Sequence, residues 1–227
     1  MRVRFADIVT LSSAMLATFS LAVVVVYEDL GLAIRLLLFS YILDIVDGIV
    51  ARYEGPTEEG FMLDRAVDRY NQVVVPVIIL LSVIEENVVL YIIYSIILVP
   101  WAFYRLVYRR VLDRRYFYGL PLLAHSLVIT MSLLAGVIPN LVVLYIILIG
   151  SILPIPYYRR PLSRSDSGPR GKASYVFYDL ARMLPLAILI LLPEGWLLKI
   201  ITNIVIYGVL VYALIGYLPF LVERFNI

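Results

Sequence analysis

The stretch DIVDGIVAR at Asp44–Arg52, followed by GFMLDRAVD at Gly60–Asp68, places four carboxylates in a chain that is 63% hydrophobic. Acidic side chains are costly near a bilayer and usually persist there only for a function. In the first stretch the two aspartates and the alanine fall three and four residues apart, so one helical face carries them. In the second, a glycine and two aspartates recur every four residues on another helix. Four carboxylates from two helices form a site for hard divalent cations, which take oxygen ligands.

The composition indicates an integral membrane protein. The 227 residues have a mean hydropathy of +0.95 and contain more long apolar runs than a soluble domain of this size needs. The chain has no cysteine, which excludes disulfides and thiolate chemistry. No segment is typical of a nucleic-acid-binding module, so we expect no nucleic-acid partner. The first apolar stretch lacks a clear cleavage site, and we interpret it as retained.

The apolar runs predict an all-α, polytopic helical bundle with eight membrane spans. Several runs approach the ~20 residues that a helix needs to cross a hydrocarbon core of about 30 Å. The spans are residues 8–27, 30–52, 62–84, 87–107, 119–138, 140–158, 174–193 and 195–221.

The charged residues between the spans predict the orientation of the protein. Arg2 and Arg4 precede the first span, whereas Glu28 and Asp29 follow it, and basic connections alternate with acidic or neutral ones along the chain. Under the positive-inside rule, both termini and the aspartate-rich stretches face the cytoplasm.

The aspartate pattern resembles the signature of the CDP-alcohol phosphotransferase family, in which Asp-x2-Asp-Gly-x2-Ala-Arg is followed by Gly-x3-Asp-x3-Asp. The spacer of seven residues between the two halves is slightly shorter than is usual in that family. A buried ionic network is the alternative, but four acids beside one arginine would not neutralise each other without cations. The signature positions filled here are Asp44, Asp47, Gly48, Ala51, Arg52, Gly60, Asp64 and Asp68.

The resemblance implies a divalent-metal-dependent phosphatidyltransferase of phospholipid biosynthesis. Such an enzyme transfers a phosphatidyl-type group from a CDP-linked lipid to an alcohol and releases CMP. The resemblance also implies that Asp68 is the base that takes the proton of the acceptor hydroxyl. The implied ligands of Mg²⁺ or Mn²⁺, with two ions expected, are Asp44, Asp47, Asp64 and Asp68. The implied contacts of the nucleotide and its diphosphate are Gly48, Ala51, Arg52 and Gly60.

The family core has six helices, which match the first six predicted spans. We therefore predict a catalytic core at residues 1–158, a basic cytoplasmic linker at 159–173 and a C-terminal helical pair at 174–227. The pair would be an appendage or a dimer-forming element, and we expect a homodimer in the cell membrane. The active site would face the cytoplasm.

Two segments bear on the alcohol acceptor. Tyr104–Leu106 and Tyr116–Pro121 are similar to a region of phosphatidylserine synthases, where an Arg-Leu pair precedes an aromatic-Gly-Leu-Pro turn. This similarity favours L-serine and a phosphatidylserine or archaetidylserine synthase, although Gly-Leu-Pro is also a plain helix-entry turn. Leu63–Tyr70 (LDRAVDRY) is more similar to the inositol-phosphate branch, so inositol phosphate or glycerol phosphate stays the alternative. The candidate acceptor-binding residues are Arg105, Arg109, Gly119 and Arg159.

The donor would be CDP-diacylglycerol, or CDP-archaeol if the source is archaeal.

A transporter is the remaining alternative, because transporters also use intramembrane carboxylates. It predicts matching motifs in two halves, whereas this chain carries the motif once. The single histidine, His125, lies in the fifth span, where a lone histidine is more often a packing or hydrogen-bonding residue than a ligand.

Overall fold

A computed structural model describes residues 4–55, 57–107, 116–158, 183–216 and 218 as a helical bundle. A π-helical turn, Tyr70–Val74, joins α3 to α4, so that the two form one continuous helical stretch. The helices are α1 (Phe5–Tyr27), α2 (Leu30–Glu54), α3 (Glu58–Arg69), α4 (Val75–Val83), α5 (Val88–Val107), α6 (Leu123–Leu134), α7 (Leu141–Ile152), α8 (described over residues 183–191) and α9 (Trp196–Ile215).

Long apolar helices confirm the predicted class of helical membrane protein. Within the described ranges, four helical stretches are long and apolar enough to cross a membrane: Phe5–Tyr27, Glu58–Val83, Val88–Leu106 and Trp196–Ile215. Helix α2 is also long, at 25 residues, but it carries the charged residues of the aspartate motif. Helices α6 and α7 have 12 residues each and are shorter than a simple span requires.

The fifth and sixth predicted spans, 119–138 and 140–158, are longer than the helices found there. Beside them the chain forms a short antiparallel ladder of β1 (Tyr116–Tyr118) and β2 (Pro156–Tyr158). Gly119, with φ of +73°, follows β1 directly. Pro121 comes two residues later, before the start of α6, and has no backbone N–H to donate to a helical hydrogen bond. Strands of three residues are too short to produce a readable alternation in the sequence.

Helix α6 lies at the centre of the bundle. It packs against α2, α4, α7 and α9, and all of its residues from 124 to 134 except Leu127 are buried. Hydroxyl side chains of α6 are compatible with this burial where they form hydrogen bonds to the backbone. For example, Thr130 Oγ1 donates to the carbonyl of Ser126 at 2.7 Å. The site described below rests on one side of this central helix.

His125 is fully buried on α6. Its Nδ1 lies 2.6 Å from the hydroxyl of Tyr94, and its Nε2 lies 2.8 Å from Oγ of Ser151. Both ring nitrogens are therefore engaged in links from α6 to α5 and α7. This is the structural role that the sequence favoured.

The C-terminal helix α9 packs against α6 and α7. Thr202 Oγ1 donates to the carbonyl of Met131 at 3.1 Å, and the hydroxyl of Tyr157 donates to the carbonyl of Ala213 at 2.9 Å. These bonds attach α9 to the helices that precede it. The predicted linker, 159–173, and the start of the seventh span lie outside the described residues, so the division into core, linker and pair stays a prediction.

Candidate functional site

The two halves of the motif lie on helices α2 and α3, which are joined by a short turn. Gly55, with φ of +91°, ends α2 in a conformation that favours glycine. Thr57 then caps α3, because its side chain accepts a hydrogen bond from Gly60 N at 3.2 Å. This turn brings the last turns of α2 beside the first turns of α3.

Three carboxylates converge where these helices meet. Asp44, Asp47 and Asp64 each offer an oxygen, and these three atoms all lie within 4.8 Å of one another. The side chain of Asp47 is 2% exposed. Both of its carboxylate oxygens, and Oδ1 of Asp44, are buried without a hydrogen-bond partner within the described part of the chain. The sequence predicted a convergence of four carboxylates, and the structure brings three of them into one group.

The donor set fits a divalent cation. Buried carboxylates without partners are strongly destabilising unless a positive charge compensates them. Oxygen ligands clustered at this separation suit Mg²⁺ or Mn²⁺, which prefer carboxylates over nitrogen or sulfur donors. Asp44, Asp47 and Asp64 would hold such an ion.

Asp68 lies beside this group, one turn further along α3. The carboxylate of Asp68 is a neighbour of the carboxylate of Asp44. Asp68 Oδ1 accepts a hydrogen bond from Gln72 Nε2 at 2.6 Å, and Asp68 Oδ2 lies 3.4 Å from Arg69 Nη1. Asp68 is therefore held in place by side chains from its own helical stretch.

Gln72 is a residue that the sequence analysis did not identify. It continues the four-residue repeat of Gly60, Asp64 and Asp68 into the π-helical turn, so the repeat was the available signal. An amide at this position donates to the carboxylate that precedes it by one turn.

A layer of polar side chains supports the carboxylates from inside the bundle. Tyr41 precedes Asp44 by one turn. The Tyr41 hydroxyl forms a hydrogen bond with the hydroxyl of Ser126 on α6 and donates to the carbonyl of Asn71 at 3.2 Å. Asn71 Nδ2 in turn donates to Ser13 Oγ on α1 at 3.2 Å. These bonds join α1, α2, α6 and the π-helical turn directly below the site.

A pocket of about 100 Å³ opens beside the carboxylates, between α1, α2 and α3. Three of the four predicted nucleotide contacts, namely Gly48, Ala51 and Gly60, line it. The fourth, Arg52, lies beside Gly48, since a Cβ added to that glycine would be 3.6 Å from Arg52 Nη1. The full lining is Arg4, Ala6, Asp7, Thr10, Asp47, Gly48, Ala51, Thr57, Gly60, Phe61 and Asp64.

The start of α1 is fastened to the turn between α2 and α3. The carboxylate of Glu54 accepts hydrogen bonds from the backbone of Phe5 and Ala6, at 3.2 and 3.1 Å, and so caps α1 from another helix. Arg4 Nη1 donates to the carbonyl of Gly55 at 2.7 Å. About fifty positions separate these partners in sequence, so no local pattern signals the contact.

The candidate acceptor residues have other contacts in the structure. Arg105 donates to the carbonyls of Leu120 and Tyr118, at 2.7 and 3.0 Å, and so clamps the turn that follows β1. At Gly119 a Cβ would collide with the carbonyl of Ser151. Among the described residues, the lining of the pocket includes neither Arg105 nor Gly119. Arg109 and Arg159 lie outside the described residues.

The fold and the carboxylate group define an integral membrane helical protein with a candidate divalent-cation site at one end of the bundle. The chain belongs to the CDP-alcohol phosphatidyltransferase family, because the model of that family matches residues 3–154, more than half of the chain. Family membership makes the protein a transferase, and its carboxylate group agrees with the general dependence of the family on divalent metal ions. The match covers the whole motif and ends before α8 and α9. No individual curated protein matches the chain.

Replacement of Asp47 by Asn should weaken Mn²⁺ binding by at least about 10-fold, because it removes a charged oxygen ligand from the buried group. The measurement is titration of the purified protein with Mn²⁺, following free Mn²⁺ by electron paramagnetic resonance. Asp29→Asn is the matched control, because Asp29 caps α2 at its other end through Leu32 N, at 2.8 Å. Equal Mn²⁺ affinity in the wild type and Asp47→Asn would contradict the assignment.

Proposed function

We propose that this protein is a phospholipid synthase that transfers a phosphatidyl-type or archaetidyl group from a CDP-linked lipid to an alcohol, with L-serine as the first-choice acceptor, and releases CMP. The observation that carries the proposal is the group of buried, unpaired carboxylate oxygens beside a pocket lined by the motif glycines. A family model that covers this motif supports it.

The reaction makes defined demands on the site. The acceptor oxygen attacks the phosphorus that carries the lipid, a phosphoester bond forms, and the phosphoanhydride bond to CMP breaks. The acceptor proton must be removed, and the bridging oxygen leaves with CMP as part of its phosphate. Divalent ions bound by Asp44, Asp47, Asp64 and Asp68, two ions being expected, would supply neutralisation of the diphosphate charge.

Asp68 is proposed as the base that accepts the proton. It lies one turn beyond Asp64 on α3 and beside Asp44, so that one of its oxygens can bind an ion while the other accepts the proton. The amide of Gln72 donates to its Oδ1 and thereby orients the carboxylate. A carboxylate oriented in this way beside the proposed metal ligands is suited to accept the proton of the acceptor hydroxyl.

Arg52 and the motif glycines are proposed to hold the nucleotide diphosphate. Arg52 extends beside Gly48, where its guanidinium fork suits phosphate oxygens. Gly48 has no side chain, so a phosphate or ribose approaches the backbone of α2 closely there.

The choice of acceptor rests on the serine-synthase-like segments. Arg105 and the turn at Gly119 form one structural unit in this protein, which supports the comparison of those two segments with the corresponding region of phosphatidylserine synthases. Arg109 and Arg159 complete the proposed acceptor set. Inositol phosphate or glycerol phosphate is the alternative, since arginine and tyrosine follow the last aspartate of the motif.

The deciding experiment measures CMP release by the purified protein. The protein is incubated with Mg²⁺, with CDP-diacylglycerol or CDP-archaeol, and with serine, inositol phosphate or glycerol phosphate in separate reactions. We expect CMP release with serine and its loss in EDTA. CMP release only with inositol phosphate or glycerol phosphate would identify a phosphorylated acceptor in place of serine. No CMP release with any acceptor would contradict the proposed transferase reaction on these substrates.

Asp68→Asn and Asp64→Asn should separate the base from the metal ligands. Asp68→Asn should lower the turnover rate by about 10²–10⁴-fold while retaining binding of CMP in the presence of Mn²⁺, because general-base loss costs that much. Asp64→Asn should lower both the turnover rate and the affinity for CMP in Mn²⁺, since it removes a metal ligand. Initial rates and CMP titrations of both variants provide the measurement. If Asp68→Asn loses CMP affinity as fully as Asp64→Asn, then Asp68 is primarily a ligand and not the base.

The active site and both termini are proposed to face the cytoplasm. The support is the excess of basic residues on one set of connections, under the positive-inside rule. Because the chain has no cysteine, single cysteines report the orientation directly. In intact cells, Glu86→Cys and Glu194→Cys should react with an impermeant thiol reagent, and Glu58→Cys should react only after permeabilisation. The reverse pattern would invert the proposed topology.

A homodimer is proposed, with the C-terminal pair as an appendage or a dimer-forming element. Helix α9 has an outward apolar face that packs on no other described helix and could meet either lipid or a second copy of the chain. The exposed large side chains of this face include Ile200, Ile204, Tyr207 and Val211.

A further inference from the structure

The helical stretch that carries Asp68 changes its winding directly after the motif. Tyr70–Val74 forms a π-helical turn, and the backbone N–H of Val75 donates to the carbonyl of Tyr70, five residues back. Such turns are rare and frequently lie at functional sites. This one begins two residues beyond Asp68, so whatever produces the turn also bears on the placement of the proposed base.

Pro76, the second residue of α4, gives a physical cause for the turn. A proline within a helix has no N–H to donate, and its ring clashes with the carbonyl four residues back, which here belongs to Gln72. Helices in a membrane tolerate such a proline through local π-helical adjustments and through new partners for the carbonyls that lose a donor. The wider turn immediately before Pro76 is the first of these two compensations.

The carbonyl of Asn71 receives the second compensation. Its α-helical donor would be Val75 N–H, which donates within the π-helical turn instead, and its π-helical donor would be Pro76, which has no N–H. The hydroxyl of Tyr41, on α2, donates to this carbonyl at 3.2 Å. Because Tyr41 precedes Asp44 by one turn, the π-helical turn is fastened to the helix that carries the first half of the motif.

The same turn also holds the carboxylate of Asp68. Gln72, its third residue, donates from Nε2 to Asp68 Oδ1 at 2.6 Å. An amide is neutral and donates without taking up a proton, so it orients the carboxylate without competing for the acceptor proton. One five-residue turn therefore contacts Asp68 on one side and Tyr41, next to the metal ligands of α2, on the other.

We propose that Pro76 is a positioning residue of the reaction, because the π-helical turn that it imposes sets Asp68 against the metal ligands of α2. Gln72 transmits this placement to the carboxylate. The inference rests on the proposed function, since it treats Asp68 as the base. It adds that a proline outside the motif, eight residues beyond the last aspartate, determines how well the base is placed.

Pro76→Ala tests the proline directly. Alanine restores the N–H and removes the ring clash, so a regular α-helix becomes available, and one residue of register corresponds to a rotation of about 100°. The kcat of CMP release should fall by about 10–100-fold, as expected for a misplaced reacting group. The midpoint of thermal unfolding should stay the same or rise, because alanine is the better helix former. A proline with a merely structural role would change the midpoint without lowering kcat.

Pro100→Ala is the matched control. Pro100 also lies inside a helix, α5, but its side chain is exposed and no π-helical turn precedes it among the described residues. This variant should keep or raise the midpoint of thermal unfolding and should leave kcat unchanged.

Gln72→Met isolates the contact with Asp68. Methionine has nearly the length and volume of glutamine but offers no N–H donor. The kcat should fall by about 10-fold or more. The KM for the CDP-linked lipid and the affinity for Mn²⁺ should stay unchanged, because all four carboxylates remain. Gln72→Glu, which cannot donate either, serves the same purpose if the methionine variant does not fold.

A double-mutant cycle tests the link to α2. If Tyr41 serves the carbonyl that Pro76 leaves without a donor, Tyr41→Phe should lower the midpoint of thermal unfolding clearly less in Pro76→Ala than in the wild type. Equal losses in both backgrounds, or a wild-type kcat in Pro76→Ala or Gln72→Met, would overturn the positioning role and leave the proposed function standing. A wild type that releases no CMP with any acceptor would overturn the proposed function itself.

Discussion

The gathering of Asp44, Asp47 and Asp64 at the meeting point of α2 and α3 is the constraint on which the rest of this structure depends. Both carboxylate oxygens of Asp47 and Oδ1 of Asp44 are buried without a hydrogen-bond partner among the described residues, and the three carboxylates each offer an oxygen within 4.8 Å of the others. Like charges gathered in an apolar bundle oppose folding unless a cation compensates them. The arrangement fits a divalent-cation site, which agrees with the membership of the chain in a family that is generally dependent on divalent metal ions.

The surrounding structure keeps these carboxylates together against their mutual repulsion. Below them, Tyr41, Asn71 and Ser126 link three helical elements through buried hydrogen bonds. Beside them, Glu54 and Arg4 attach the start of α1 to the turn that joins the two halves of the motif. Buried hydrogen bonds of this kind fix geometry, since breaking one leaves a buried group unsatisfied, although Asn71 Oδ1 itself has no partner among the described residues. The site is thus held by protein groups on two sides and open on the pocket side.

The segments that favour serine as the acceptor also have an architectural role. Arg105 binds two carbonyls of the turn around Gly119, and the backbone there packs too closely on Ser151 for any larger residue. A motif shared with a group of enzymes can therefore reflect a common way of building the wall of a site as well as direct contact with a substrate.

The sequence by itself determined the helical membrane class and the helix faces that carry the aspartates, because helical periodicity acts over a few residues and is readable locally. The meeting of those two faces, with Asp44, Asp47 and Asp64 in one group, was decided by the packing of α2 and α3. It also indicated the structural role of His125. The four-residue repeat extends to Gln72, but only the structure assigned that amide to Asp68. The short β ladder, the lengths of α6 and α7, and the closure of α1 over the motif were decided by tertiary structure. Each depends on contacts between residues far apart in the chain, such as Glu54 with Phe5 or β1 with β2, and such contacts leave no periodic signal in either partner.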